Sequence, residues 1–240
     1  LMSKTINNLR SLNFFKSVNS NIVSDDPEEK IINISVEEKP TGEIGAGAGV
    51  GTSGTSFSVF VKENNYLGKG INLDSELNLS TNSIKGSFTV INPNFNDTDK
   101  SLITSVETTE IDRLTDFGYK TNRTGFSVGT NFEFLDDLRF GIGNSNYYEN
   151  IETDSTASSL QKKQSGDYWD SFINLDFDYD KRNQKFRPSD GFRSTYRVNL
   201  PIISDTNTLT NSYNYTYYTD FYDDNVTTFS FYGKASHSLT

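Results

Sequence analysis

From Thr41 onward the chain is a series of short segments in which apolar and polar residues alternate, and no helical pattern interrupts them. The clearest segment runs from Phe172 to Asp180. Its apolar positions are Ile173, Leu175, Phe177 and Tyr179, and its polar positions are Asn174, Asp176, Asp178 and Asp180. Because successive side chains of a β-strand point to opposite faces, this pattern predicts a sheet with one apolar and one polar face.

Two architectures fit a sheet of this kind. A soluble β-sandwich buries the apolar face in a dry core, whereas a membrane barrel turns the apolar face to lipid and lines a wet interior with the polar one. Only 33% of the residues are hydrophobic, which is low for a large dry core. The composition therefore favours a mostly β chain that forms a transmembrane antiparallel β-barrel, and the soluble sandwich remains as an alternative.

The spacing of these segments predicts an antiparallel meander of eleven strands. We expect them near 41–52, 56–65, 70–80, 83–92, 102–113, 120–135, 138–152, 168–182, 191–201, 209–222 and 226–239. The longest linker, Thr153 to Gly166, is rich in Ser, Thr and Gln, which predicts a flexible surface loop.

The first 40 residues follow a different pattern. Ile6, Leu9 and Leu12 have helical spacing within a segment from Ser3 to Asn13. Two short strands are predicted after it, one around 14–23 and one over Ile31–Val36. Pro40 marks a boundary because proline cannot donate to a β-ladder. The sequence therefore predicts a helix-strand-strand unit in residues 1–39 and the strand-rich region in residues 40–240.

Composition excludes several functional classes. The chain has no cysteine, which rules out disulfides, zinc fingers and thiol catalysis. It carries 22 Lys and Arg against 32 Asp and Glu, a net charge of −10, which argues against a nucleic-acid partner. The opening residues Leu-Met-Ser-Lys do not form a secretory leader, so we expect one upstream of this sequence or removed by processing.

Three motif-like patterns have simpler explanations. The segment Gly49 to Gly54 matches G-x-G-x-x-G, but an alternating strand pattern follows it where a dinucleotide site needs a helix. The acidic series that starts at Asp176 imitates a calcium loop, yet Lys181 stands where that loop needs glycine. His237 has no second histidine or cysteine near it. We therefore predict no enzyme activity, no cofactor and no metal site.

Aromatic pairs recur near the ends of the predicted strands, as in Tyr147-Tyr148, Tyr217-Tyr218 and Phe221-Tyr222. Amphipathic rings prefer the boundary between lipid and water, so as a set these pairs predict an aromatic girdle. Ordinary strand propensity is the better explanation of any single pair, though not of the set.

The first predicted barrel strand is unusual in its glycine content. Gly45, Gly47, Gly49 and Gly51 fall on one of its faces, and Ile44, Ala46, Ala48 and Val50 fall on the other. Glycine weakens a strand because it has no side chain to pack and loses more conformational entropy on folding. One interpretation is a strongly curved wall in which small residues relieve crowding.

The junction before this strand carries a family resemblance. Residues 36–42, Val-Glu-Glu-Lys-Pro-Thr-Gly, run into the glycine strand and are followed by Glu-Asn-Asn-Tyr-Leu-Gly-Lys-Gly at 63–70. Together they resemble the BamA family of outer-membrane protein assembly factors. Residues 9–18 look like the end of that family's last POTRA domain. Asp180-Lys181-Arg182 with Pro188, Gly191 and Phe192 is similar to a recurrent turn between two barrel strands.

The resemblance implies that the sequence is a fragment. It would hold the C-terminal α-β-β part of the last POTRA domain, in residues 1–39, and about eleven strands of a sixteen-stranded barrel. The Val-Arg-Gly-Phe motif of the family's long inward loop is not in this sequence. The implied location is the outer membrane of a Gram-negative bacterium, with the N-terminal segment in the periplasm.

The implied function is the insertion of unfolded outer-membrane proteins. Gly45, Gly47, Gly49 and Gly51 would form a weak lateral seam that offers a free edge to client strands. The implied partners are unfolded barrel clients, accessory assembly lipoproteins and outer-membrane lipid. A related translocator for two-partner secretion or autotransporter assembly is the nearest alternative, and a passive porin-like channel is a further one.

Overall fold

The computed structural model describes residues 5–6, 9–10, 12–23, 31–51, 54–185, 187–204, 207–222 and 225–239. Residues 5–6 and 9–10 are helical, in agreement with the predicted N-terminal helix, and the rest of that helix lies mostly outside the described residues. No helix in the described part of the chain combines the length and the hydropathy needed to cross a membrane.

Thirteen strands make up most of the described chain. They are β1 Phe15–Val23, β2 Ile31–Glu38, β3 Gly42–Gly51, β4 Gly54–Tyr66, β5 Ile71–Ser80, β6 Ser83–Asn92, β7 Ser101–Arg113, β8 Tyr119–Leu135, β9 Leu138–Thr153, β10 Gly166–Asp180, β11 Gly191–Ile203, β12 Thr208–Tyr222 and β13 Asn225–Ser238. A 3₁₀ turn spans Phe95–Asp97, and two short helices are α1 Leu114–Phe117 and α2 Ser159–Lys163. All eleven strands predicted after Thr41 are confirmed, each with ends within two residues of the prediction.

The strands form two antiparallel sheets. β1 pairs with β2 alone, and β3 to β13 form one sheet of eleven strands in which each strand pairs with the next along the chain. The predicted meander is confirmed. Within this sheet β3 and β13 are the two edge strands. The predicted boundary at residues 39 and 40 falls between β2 and β3; the assignment of residues 1–39 to a separate POTRA domain stays a prediction.

The strand register places the polar positions of successive strands on the same face throughout the large sheet. One row of paired positions runs through Asn131, Gly141, Asp176, Arg197 and Ser212, from β8 to β12. A second row of the same face joins Gly45, Phe60, Glu76, Ser87 and Glu107, from β3 to β7. We call this side the polar face and the opposite side the apolar face.

The apolar face of the large sheet remains exposed. Among the described residues only Ile6, Val18 and Ala157 are buried apolar side chains, and all three lie outside this sheet. Phe126, Ile142 and Phe177, on the apolar face of inner strands, are 50%, 43% and 38% exposed. A sandwich would bury these side chains in a dry core, so the structure contradicts the soluble sandwich and agrees with a face that lipid would cover.

Aromatic rings join neighbouring strands on the apolar face. Phe140 contacts Phe132 and Phe177, with ring centroids 5.9 and 5.1 Å apart. Phe177 also stacks on Tyr196 at 6.4 Å. These contacts link β8 to β11 at the spacing at which aromatic pairs attract one another. We call β8 to β11 the central wall.

The linker from Thr153 to Gly166 is a surface connection, as predicted, but it is not the flexible coil that its composition suggested. It contains α2, whose N-terminus carries a capping box between Ser158 and Gln161. The Asp154 amide donates to the Gly118 carbonyl at 2.9 Å, which ties this loop to the one between β7 and β8. Hydrogen bonds from the Thr156 hydroxyl and amide lower the pKa of Asp154.

Gly118 shows why the two loops can approach so closely. Its φ is +72°, in the left-handed region, and a Cβ there would lie 2.4 Å from the Ala157 nitrogen. Any other residue would therefore strain the backbone and push the loops apart. Local hydrogen bonding by Ser, Thr and Asp has ordered a segment whose polar composition alone predicts flexibility.

Candidate functional site

The four glycines of β3 lie at an edge of the large sheet. All four belong to the polar face, since Gly45 is in register with Phe60 and Gly47 with Ser58. On the other side of the same strand Ile44 is 78% exposed. The sequence had placed these two sets on opposite faces, and the structure confirms that arrangement. Their role in a seam stays a prediction.

Packing against the glycines decreases along the strand. The ring of Phe60 lies across Gly45, where a Cβ would be 2.2 Å from a ring carbon. At Gly47 and Gly49 a Cβ would meet only serine hydroxyls, at 3.1 and 3.3 Å. At Gly51 it would meet no described atom within 4 Å. The first glycine therefore makes room for an aromatic ring, and the last leaves open space.

The start of β3 is held by a carboxylate that sequence reasoning missed. Glu63 Oε1 accepts hydrogen bonds from the Thr41 hydroxyl and, at 2.8 Å, from the Asn65 amide. Asn64 Nδ2 donates to the Thr41 carbonyl at 3.4 Å. We call Thr41, Glu63 and Asn65 the anchor. Glu63 and Thr41 both lie in the segments that carry the family resemblance. Their separation in the sequence does not predict that they meet, because the register between β3 and β4 sets the distance between them.

The anchor continues into the small sheet. Asn65 Oδ1 accepts the Gly70 amide at 2.7 Å and closes the turn between β4 and β5. A Cβ at Gly70 would lie 3.7 Å from the ring of Phe14, so that ring packs on the turn. The Lys39 amide donates to the Phe14 carbonyl at 3.1 Å. Hydrogen bonds and the packing of Phe14 therefore connect the start of β3, the turn between β4 and β5, and the segment just before β1.

The turn between β10 and β11, which also carries the resemblance, is built around Arg182. Its Nε and Nη2 donate to the two carboxylate oxygens of Asp180 at 2.8 and 2.7 Å, and the guanidinium is largely buried. Asn183 Oδ1 accepts the Ser189 amide at 3.1 Å. Gly191 has φ +94°, and a Cβ there would lie 2.1 Å from the Lys181 carbonyl oxygen. Asp180, Arg182 and Gly191 of the motif therefore act in closing this turn.

Lys181 joins that turn to its neighbour. Its Nζ donates to Asp137 Oδ2 at 2.6 Å, in the turn between β8 and β9. This hydrogen bond raises the pKa of Lys181. The Asp180 amide also donates to the Asp137 carbonyl at 2.9 Å. The two turns therefore support each other at one end of the central wall.

The acidic series of β10 pairs with arginines of β11. Asp178 and Arg193 form two hydrogen bonds, of 2.9 and 2.7 Å. Asp176 and Arg197 approach to 2.8 Å. No cluster of three or more metal-binding side chains occurs within the described ranges. Strand alternation, as predicted, accounts for the aspartate spacing, and the arginines give these carboxylates their partners.

The other motif-like patterns lie in strands. Gly49 to Gly51 end β3, and Gly54 begins β4 directly, whereas Thr52 and Ser53 lie outside the described residues. The helix that a dinucleotide site requires is therefore replaced by a strand. His237 is in register with Leu209 in the ladder of β12 and β13.

The aromatic pairs contribute differently from what the sequence suggested. Tyr147 belongs to the polar face, where Arg123 stacks on its ring at 3.9 Å. Tyr148, its neighbour in sequence, points to the apolar face and donates to Asp167 at 2.8 Å. Since adjacent residues of a regular strand face opposite sides, only one ring of the pair Tyr147-Tyr148 can join a girdle.

The comparisons with known proteins agree with this architecture. The family model of the Omp85 superfamily domain matches residues 65–239. The chain belongs to the Omp85 superfamily. Members of this superfamily are outer-membrane β-barrel proteins. Membership in the Omp85 superfamily explains why the large sheet has an exposed apolar face and an opposite polar face.

Solved structures similar to this Omp85 chain include BamA from Haemophilus ducreyi lacking POTRA domains 1–3, with a TM-score of 0.66 and 19% identity over 98% of the chain. CdiB from Escherichia coli matches with a TM-score of 0.59 and 12% identity over 94% of the chain, and CdiB from Acinetobacter baumannii with 0.56 and 9% over 97%. The chain covers 49%, 46% and 46% of those structures, so it spans about half their length.

Proposed function

We propose that this Omp85 chain is part of an outer-membrane insertase that receives unfolded barrel proteins at β3. The supporting observation is that four glycines share the polar face of β3, the first strand of the large sheet. An edge strand presents unpaired N–H and C=O groups, and an incoming strand can complete the ladder by β-augmentation. Sparse packing on the polar face of β3 lowers the cost of tilting that edge.

In this proposal the N-terminal unit, residues 1–39, is the end of a POTRA domain in the periplasm. Odd-numbered strands from β3 onward then run outward, and the loop that contains α2 is extracellular. Accessory assembly lipoproteins are further partners. The protein forms no covalent bond with its clients and needs no nucleotide or metal, because strand exchange and lipid burial supply the driving force.

A secretion translocator of the CdiB type is the second candidate. It is favoured by the structural similarity to two CdiB proteins, which cover this chain nearly as completely as BamA does. The two candidates differ in client. An insertase releases a folded barrel into the membrane, and a translocator releases a polypeptide outside the cell.

A reversible cross-link tests the insertase. In the full-length protein, a cysteine at Gly47 or Gly49 is paired with one on the last barrel strand, at a position with a Cα separation of about 4 to 7 Å. Oxidation should abolish insertion of an unfolded barrel client, and reduction should restore it. The client is followed by its heat-resistant mobility on a gel.

The matched control places cysteines at Gly129 and Gly143, which face each other in register between β8 and β9. That cross-link restrains a strand pair that already stays closed, so insertion should continue at the wild-type rate. Normal insertion with a verified β3 cross-link would refute the seam. Normal export of a secreted client by a protein that never inserts barrels would favour the translocator.

A further inference from the structure

We propose that Glu63 is a positioning residue that fixes the first residues of β3, so that this strand pivots about its Gly42 end and moves at its Gly51 end. This inference rests on the proposed function, since it states how the seam strand would move. It assigns a role to a carboxylate that lies opposite Gly42 in the register of β3 and β4.

The Gly42 end is bonded on several sides. Glu63 binds both Thr41, before β3, and Asn65, at the end of β4. A Cβ on Gly42 would approach Glu63 Oε2 to 3.0 Å, so the glycine lets the carboxylate lie against the strand. A hydrogen bond to an ionised acceptor is stronger than a neutral one. One side chain therefore holds the entry to β3 against the neighbouring strand.

The anchor is supported from behind by the small sheet. Phe14 packs on Gly70, in the turn between β4 and β5 that Asn65 closes. The Lys39 amide donates to the Phe14 carbonyl. Lys39 Nζ also donates to Asn13 Oδ1 at 2.6 Å. Movement of the Gly42 end would break the hydrogen bonds of Thr41 to β4, and Lys39, two residues before Thr41, is bonded to Phe14 and Asn13. The pivot is thus fixed relative to the N-terminal unit as well as to β4.

The Gly51 end has few comparable contacts among the described residues. The Ser56 hydroxyl lies 3.5 Å from the Gly49 carbonyl, at the outer limit of a hydrogen bond. A Cβ at Gly51 would meet no atom of the described residues within 4 Å. Regions with few buried contacts open locally at lower free energy than the rest of a fold, so the two ends of β3 should differ in local stability.

Amide hydrogen exchange of the full-length protein in lipid nanodiscs, without client, tests the pivot. Peptides that cover residues 47–51 should exchange at least tenfold faster than peptides that cover 42–46. Glu63→Ala should raise exchange at 42–46 at least tenfold and leave the central wall unchanged. Glu63→Gln keeps an oxygen that accepts both hydrogen bonds, so it should restore most of the protection.

The matched control is Glu76→Ala, on the opposite face of the next strand, where the carboxylate accepts a hydrogen bond from Asn78 of its own strand. It should leave exchange in β3 unchanged. Thr41→Val removes only one partner of the anchor and should give a smaller rise at 42–46. This variant keeps the test decisive if Glu63→Ala does not fold, which the gel mobility of the barrel reports.

Uniform exchange along β3 in the wild type would overturn the pivot, and so would unchanged protection at 42–46 in both anchor variants. Failure of Glu63→Gln to rescue would overturn the hydrogen-bond role of Glu63. These readouts are made without client. If the cross-linked protein inserts clients normally, the insertase proposal is refuted. The exchange gradient along β3 is measured separately and tests only the pivot. With both intact, Glu63→Ala should slow client insertion and Glu63→Gln should restore it.

Discussion

The central wall and β3 show the same alternation of apolar and polar faces, but their side chains make different contacts with the neighbouring strands. In the central wall, aromatic rings contact across strands on the apolar face, and Asp176 and Asp178 bind arginines on the polar face. In β3 the apolar positions are Ile, Ala and Val, and the polar positions hold four glycines. The ladder hydrogen bonds are common to both, so side-chain size and pairing account for the difference.

This comparison shows that the period of a pattern and the strength of a strand are separate properties. Alternation fixes which face each residue takes, and it did so correctly for β3 and β10 alike. Cross-strand side-chain pairs determine how firmly a strand is held. One continuous sheet can therefore combine strands that are joined by many side-chain contacts with a strand that is joined by few.

The largest effect should come from a charge on the apolar face of the wall. Leu175→Arg should lower the free energy of unfolding by about 2 to 4 kcal/mol if lipid covers this position near the bilayer midplane. Asn174→Arg, on the next residue, should cost far less because the polar face is hydrated. Denaturant unfolding of the full-length protein in lipid vesicles gives both values. Equal losses would show that the two faces have similar surroundings.

Alanine at three glycines should give a graded series. Gly125 lies under the Tyr147 ring, where a Cβ would be 2.2 Å from a ring carbon and 2.8 Å from the Asn146 carbonyl oxygen. Gly125→Ala should cost about 1 to 3 kcal/mol by overpacking. Gly45→Ala should cost less, since it displaces only the side chain of Phe60. Gly51→Ala should gain about 0.5 kcal/mol because alanine costs less chain entropy.

The same unfolding assay measures this series. The order Gly125, Gly45, Gly51 from the largest loss to a gain would sharpen the contrast between wall and edge. An equal loss at Gly51 and Gly125 would break it, because it would mean that the Gly51 end is packed as tightly as the wall.

The smallest effect should come from the ion pair of Asp176 and Arg197, whose side chains are 49% and 67% exposed. A double-mutant cycle with alanine at each position should give a coupling energy of about 0.2 to 1 kcal/mol, since exposed pairs are screened by water. A cycle on Lys62 and Asp74, a pair at 3.4 Å between β4 and β5, provides the comparison near the edge. A coupling above about 2 kcal/mol at Asp176 would mean that water is excluded from the polar face.

Much of the fold could be predicted because strand periodicity is a local property. Segments such as Phe172 to Asp180 carry their own face assignment, and the turns between them carry glycine, proline and asparagine. The ordered loop around α2 could not be predicted, since its Ser and Thr residues are equally frequent in coils. Its order depends on Asp154 reaching Gly118, which is 36 positions away in the chain.

The features of the candidate site fall into the same two groups, those that the sequence determines and those that depend on the tertiary structure. By itself the sequence determined that four glycines share one face of the first long strand, because period two follows from backbone geometry alone. Only the tertiary structure decided that Phe60 covers Gly45, that a Cβ at Gly51 would meet no described atom within 4 Å, and that Glu63 meets Thr41. Those facts depend on register and on contacts between residues far apart in the chain, and local patterns of residue types do not encode such contacts.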